Sequence, residues 1–137
     1  MRVRVRLPLA VALPLLLAGC GIAPVAERPT PGAVVGDYYR GDHTGSNIYL
    51  TLNADSSYHA TWRGCVGEYG TSAGVWRVVD DRVELEPQDD SGKRVEEIRV
   101  LHALRYRREL IFVADLNDRY YKRYGPDDSS AFYRQGK

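Results

Sequence analysis

The chain has 137 residues, with 19 Lys and Arg against 18 Asp and Glu and a formal net charge of +1. That is the length of one small domain. Without a basic excess, nothing in its charge calls for nucleic acid as a partner.

Arg2, Arg4 and Arg6 precede an apolar run of 13 residues, Leu7 to Gly19, that closes on Leu17-Ala18-Gly19-Cys20. A transmembrane helix needs about 20 apolar residues, so this run reads as a cleaved export signal. Its order of positive start, apolar stretch, small residues and cysteine resembles the lipobox of bacterial lipoprotein signal peptides. The resemblance implies cleavage before Cys20, a diacylglycerol on the Cys20 thiol, and acylation of the new amino group. Two or more chains anchor stably where one does not. Loss of residues 1–19 leaves 118 residues with 16 basic and 18 acidic groups, a net charge of 16 − 18 = −2. Cys65 is then the one thiol beyond the anchor, so no internal disulfide is available. In lipoproteins, Asp directly after the lipidated cysteine commonly retains the protein in the inner membrane. Gly21 therefore implies outer-membrane residence facing the periplasm, for a Gram-negative source.

Residues 21–35 contain Pro24, Pro29 and Pro31 and read as an extended tether, reaching roughly 45 Å at about 3.1 Å per residue. From Gly36 to Lys137 the pattern becomes that of a β-domain. Ile48, Leu50 and Leu52 alternate with polar residues up to a turn at Asn53-Ala54-Asp55-Ser56. Tyr58, Ala60 and Trp62 share one face; so do Gly74, Trp76 and Val78. Asp80-Asp81 is a second tight turn, after which Val83 and Leu85 alternate until Pro87. Short period-two segments bounded by turn residues predict an antiparallel meander. Gln88 to Lys93 reads as a polar loop and Glu97 to Tyr106 as a strand. Arg107-Arg108 turns that strand into Leu110-Ile111-Phe112-Val113-Ala114, which is apolar throughout and predicts a strand covered on both faces. Leu116, Tyr120 and Tyr124 then recur every four residues before Gly125-Pro126, predicting one short helix. Ala131 to Arg134 reads as a returning strand.

Gly36-Asp37-Tyr38, Leu50-Thr51-Leu52-Asn53-Ala54-Asp55-Ser56-Ser57-Tyr58, Gly74-Val75-Trp76 and Val83-Glu84-Leu85 form an ordered set. It resembles the opening half of small lipocalin-like bacterial lipoproteins, including the barrel domain of the copper-resistance, envelope-stress-sensing lipoprotein. The match covers about 50 residues and implies a barrel fold. Ser56 stands where the turn glycine of that pattern usually is. The Cys-x-x-Cys of the copper-resistance protein is missing, so copper handling and redox signalling are not implied.

The segment Arg63 to Gly74 concentrates chemistry in what reads as a wide loop: four glycines, the Cys65 thiol, the Glu68 carboxylate and the Tyr69 ring. Glycine lets backbone amides approach a ligand. Cys65, Glu68 and Tyr69, with His59 nearby, are the candidate binding residues; the alternative is a loop whose glycines serve only its turns. A reactive Cys65 needs a positive neighbour, and Arg63 is two residues away. His43, His59 and His102 have no pair at zinc-site spacing, and His102 shares parity with Ile98, Val100 and Leu104 as a core candidate. Cys65, His59 and Asp55 lie on neighbouring segments without a motif that marks a catalytic set. Seven cations (Arg99, Arg105, Arg107, Arg108, Arg119, Lys122 and Arg123) offer a surface for lipid phosphate, lipopolysaccharide or an acidic partner.

The sequence thus predicts a small antiparallel β-barrel or curved meander sheet with one short C-terminal helix, held at a membrane by lipidated Cys20. The expected function is non-catalytic binding of an envelope protein or a hydrophobic small molecule, with no cofactor, metal or nucleic acid. The alternatives are a lipocalin-like carrier and a thiol sensor or enzyme using Cys65. An interior filled by Trp62, Trp76 and tyrosines favours the interaction module; an open cavity favours the carrier.

Overall fold

Period-two alternation fixes which face of each strand turns inward, and the turns fix where each strand stops. The computed structural model describes residues 22–41, 45–93 and 98–136. Among them, nine strands form one antiparallel sheet: β1 (Val25–Ala26), β2 (Gly36–Gly41), β3 (Asn47–Leu52), β4 (Ser57–Gly64), β5 (Gly67–Val79), β6 (Arg82–Gly92), β7 (Val100–Tyr106), β8 (Glu109–Val113) and β9 (Tyr133–Arg134). The two helices are short, α1 (Pro31–Val34) and α2 (Arg119–Tyr124). β2 to β8 run as a continuous meander, and β9 returns to the free edge of β2. Mainly β architecture with a curled antiparallel sheet is what the alternation predicts.

The inward residues are those of the sequence pattern. Ile48, Leu50, Leu52, Tyr58, Ala60, Trp62 and Trp76 are buried in one core cluster. The Trp76 indole N–H donates to the Asn53 carbonyl at 3.0 Å, which ties β5 to the β3–β4 turn. In that turn Ser56 takes the left-handed conformation, at φ +67°. The Arg107-Arg108 turn has both residues at positive φ, the geometry of a two-residue hairpin.

β8 is buried on both faces. Leu110 and Phe112 join the main core, while Ile111 and Val113 join a second cluster with Leu104 and Ala131. Phe112 also closes the curl. Its N–H donates to the Phe132 carbonyl at 3.2 Å and its carbonyl accepts from the Phe132 N–H at 2.7 Å, an isolated bridge between the two ends of the sheet. Tyr38 of β2 packs edge-on against the Phe112 ring with centroids 5.0 Å apart.

Three elements differ from the sequence expectation. Part of the proline-rich stretch is docked rather than free. β1 pairs with β7, and Pro29 and Val34 are buried. Thr30 caps α1, accepting from the Ala33 N–H, with Pro31 at the first helical position. That helix was absent from the sequence reading because four residues carry no periodicity. β6 continues through Pro87 to Gly92, so Gln88 to Gly92 is strand and not loop. The pairing steps from Ala73↔Asp89 to Gly74↔Pro87, leaving Gln88 as the extra residue of a bulge, the setting in which a strand tolerates proline. Gly74 is required there: a Cβ would lie 2.1 Å from the Glu86 carbonyl oxygen. The apolar run at residues 7–19 and the anchor residue Cys20 lie outside the described residues.

Phe112→Ala and Trp76→Ala should each lower the unfolding free energy by about 3–5 kcal/mol, as truncation of a buried aromatic does. The outward Thr61→Ala should stay within about 0.5 kcal/mol of the parent. Urea denaturation of the three variants checks the assigned faces.

Candidate functional site

Antiparallel order sorts the turns between the two ends of the sheet. The β3–β4, β5–β6 and β7–β8 turns, at Ala54–Asp55, Asp80–Asp81 and Arg107–Arg108, lie at one end. The β4–β5 turn at Cys65–Val66 lies at the other, as does the segment that follows β8 and carries α2.

The residues from Gly64 to Gly74 are not a wide loop. They form a hairpin whose turn is only Cys65–Val66, with Gly64 paired to Gly67 and Arg63 to Glu68. Gly67, at φ +115°, supplies the backbone conformation the turn needs. The register steps between Trp62↔Gly70 and Arg63↔Glu68, which leaves Tyr69 as the bulge residue. Its ring packs over Gly64, where a Cβ would come 2.0 Å from the Tyr69 hydroxyl oxygen. Gly70 is equally confined, since a Cβ there would lie 2.7 Å from the Ser91 carbonyl oxygen. All four glycines thus have structural work, and Tyr69 leans on the core rather than standing open. Cys65 and Glu68 are exposed near the tip, and Cys65 is in no disulfide.

His59 is exposed on the outer face, paired with Ala73 and Thr51 in the middle of the sheet. It does not join the hairpin tip. Asp55 sits at the opposite end of β4 from Cys65, and its carboxylate accepts from the Ser57 N–H and hydroxyl at 2.9 and 2.6 Å. Those bonds hold Asp55 below its ordinary pKa. The Cys65–His59–Asp55 set is therefore not assembled. Nor is His102 a core residue: it is half-exposed on β7, whose main-core positions are Leu101 and Ala103. His43 lies outside the described residues, and among those described no cluster of metal-ligating side chains occurs.

The seven cations do not form one surface. Arg99 pairs with Asp90 at 3.2 Å and Arg105 pairs with Glu27. Arg107 and Arg108 sit at the β7–β8 turn, whereas Arg119, Lys122 and Arg123 belong to α2 at the other end.

Sequence reasoning missed a cleft of about 460 Å³ beside α2, lined by Arg40, Asp115, Asp118, Tyr120, Ser129 and Ser130. Asp118 caps α2 by accepting from the Tyr121 N–H at 2.9 Å, and Asp115 accepts from the Asn117 N–H at 2.7 Å. Across the cleft, Asp127 organises the return to β9. It accepts from the Ser129 N–H, the Ser130 N–H and the Ser129 hydroxyl at 3.0, 3.0 and 2.8 Å. Burial alone would raise its pKa; these bonds and one from the Tyr120 hydroxyl outweigh it and hold the carboxyl below the usual range. The Arg40 guanidinium lies 5.1 Å above the Phe132 ring, linking the cleft to the closure. Tyr120 and Tyr124 are exposed, with their rings tilted against each other at 4.7 Å between centroids and the Arg123 guanidinium 5.3 Å over Tyr124. The Asp127-x-Ser-Ser spacing and the Asp118 cap were the available signals. Neither reveals that Arg40, far off in sequence, closes the cleft.

Comparison with protein-family models, with curated proteins and with solved structures finds no match to this chain.

A depressed Asp127 pKa adds stability that is complete above the unfolded value, near 3.8, and is lost as pH falls through the lower folded value. The Ser129 and Ser130 amide shifts should therefore titrate with a midpoint below that of an ordinary aspartate. In Asp127→Asn that acid transition should vanish. NMR titration of the two amides reads both outcomes.

Proposed function

We propose that the chain is an envelope lipoprotein anchored through Cys20, whose β-domain is a non-catalytic binding module for a partner protein. The observation that carries the module is the filled interior. Trp62, Tyr38, Phe112, Phe132, Ile48, Leu50 and Leu52 are all within 1% of complete burial inside the curl. A carrier needs an enclosed apolar space of about 300 Å³ or more. The clefts of that size open at the surface and reach the core only at its margin, at Trp76 and Leu85 in one and Leu110 in another.

The partner surface is α2 and its cleft. Exposed tyrosines beside arginines are the side chains that most often dominate protein interfaces, and Tyr120, Tyr124 and Arg123 meet that description. The anchor reading rests on Leu17-Ala18-Gly19-Cys20, and outer-membrane residence facing the periplasm rests on Gly21, for a Gram-negative source. The thiol reading has less support, since Cys65 stands apart from His59 and Asp55.

Two measurements test the two halves. Metabolic labelling with palmitate should mark the parent and not Cys20→Ser; label retained in that variant would remove the anchor. Titration of the purified protein with a fluorescent fatty acid should give no saturable binding. Saturable one-to-one binding would turn the reading to a lipocalin-like carrier.

A further inference from the structure

We infer that the end of the sheet bearing the Arg107–Arg108 turn is a membrane-contacting surface, with the two arginines directed at bilayer phosphate and Ile22 and Val25 at the headgroup boundary. The inference rests on the proposed lipidation of Cys20 and adds which face of the domain meets the bilayer.

The path of the chain carries the argument. β1 runs antiparallel to β7, with Val25 opposite Arg105 and Ala26 opposite Leu104. It takes over the edge of β7 where β6 leaves: the Ala103 N–H donates to the Asp81 carbonyl at 2.8 Å, and the Ala103 carbonyl accepts from the Glu27 N–H at 2.9 Å. The ion pairs Glu27–Arg105 and Arg28–Asp80 fasten the segment on either side. Followed toward the chain start, the antiparallel direction leads from Val25, opposite Arg105, toward the Arg107–Arg108 turn. Cys20 is five residues before Val25 in the sequence, a reach of at most about 18 Å for an extended chain. A free tether would have allowed roughly 45 Å and no fixed orientation. The docked segment instead limits how far the chain start can stand from the β7–β8 end.

The turns neighbouring Arg107–Arg108 at that end carry the exposed carboxylates of Asp55, Asp80 and Asp81, with Asp80 paired to Arg28, so the headgroup contact is placed at the β7–β8 turn and the segment beside it rather than across the whole end. Ile22 and Val25 are 63% and 64% exposed, two large apolar side chains open to solvent on the docked segment. Arg107 and Arg108 are exposed, and among the described residues neither has an ion-pair partner. Arg107 lies 5.0 Å over the Tyr106 ring, so an aromatic and two cations flank the apolar pair, as in surfaces that sit at the membrane interface. Each arginine near an anionic surface strengthens association about fivefold, and two together about thirtyfold. With this end on the bilayer, the Cys65 hairpin and α2 face away from it, where a soluble partner has access.

The test uses the full lipidated chain in vesicles of phosphatidylethanolamine and phosphatidylglycerol containing headgroup-labelled quencher lipid. One sample carries a fluorophore on the native Cys65. The other carries it at Glu109→Cys in a Cys65→Ala background. The Glu109 position should be strongly quenched and the Cys65 position not. Adding Arg107→Ser with Arg108→Ser should relieve the quenching at Glu109, and raising salt should do the same in the parent. Equal quenching at both positions, or quenching that survives the double substitution, overturns the docking surface. Mass spectrometry of the Cys20 peptide is read on the same samples. An acylated Cys20 without position-dependent quenching refutes the docking alone, and an unmodified Cys20 refutes the anchor and the docking together.

Discussion

The rest of the molecule depends on the meeting of Phe112 with Phe132. An antiparallel meander has two free edges, and a free edge is a row of unpaired backbone groups. Here the last long strand, β8, is drawn inward by burial on both faces, and its Phe112 bonds to Phe132 just ahead of β9. β9 in turn pairs with β2, the other end of the meander. Two backbone hydrogen bonds each contribute only about 1 kcal/mol net. The side chains do more: each buried aromatic contributes roughly 1.5–3 kcal/mol from area alone. The edge-on packing of Tyr38 on Phe112 and the Arg40 guanidinium over Phe132 bring β2 into the same contact.

The closure also positions the functional candidates. Between β8 and Phe132 the chain must leave the sheet and come back, and that excursion is α2 with the Asp127 turn. The cleft beside α2 exists because the excursion is pinned at both ends, by the Asp118 cap and by the Asp127 cluster. On the other side of the fold, the Arg134 side chain donates to the Ala33 carbonyl and to the Tyr38 hydroxyl, and Tyr38 donates to the Val34 carbonyl at 2.6 Å. Burial raises the Tyr38 pKa against the opposing pull of Arg134, which keeps that hydroxyl a donor. The C-terminal strand therefore also holds α1, and through α1 the segment that leads back to Cys20.

Much of the fold was legible because alternation is a local signal. Tyr58-Ala60-Trp62 and Val83-Leu85 announce their inward faces without any knowledge of neighbours, and the Arg107-Arg108 turn and the apolar run of β8 from Leu110 onward follow from the same pattern. What was not legible depends on pairing between distant segments. Val25 and Ala26 are a strand only because β7 has an edge left beyond β6. Gln88 to Gly92 is polar on both sides and becomes strand through its partner residues Gly70 to Ala73. Glycine density misled at residues 64–74: a close-packed tyrosine, a tight turn and a bulge need glycine as much as a ligand-binding loop does. The α2 cleft was half visible. Its cap and turn residues are local, but Arg40 reaches it only through the closure.

Amide hydrogen exchange at Phe112 and Phe132 tests that closure most directly. If the bridge is part of the single cooperative core, both amides exchange only through global unfolding, with the same opening free energy as Leu50 at the centre of β3. Faster exchange at Phe112 and Phe132 while Leu50 stays protected would mean that the sheet opens there on its own, and would contradict the account.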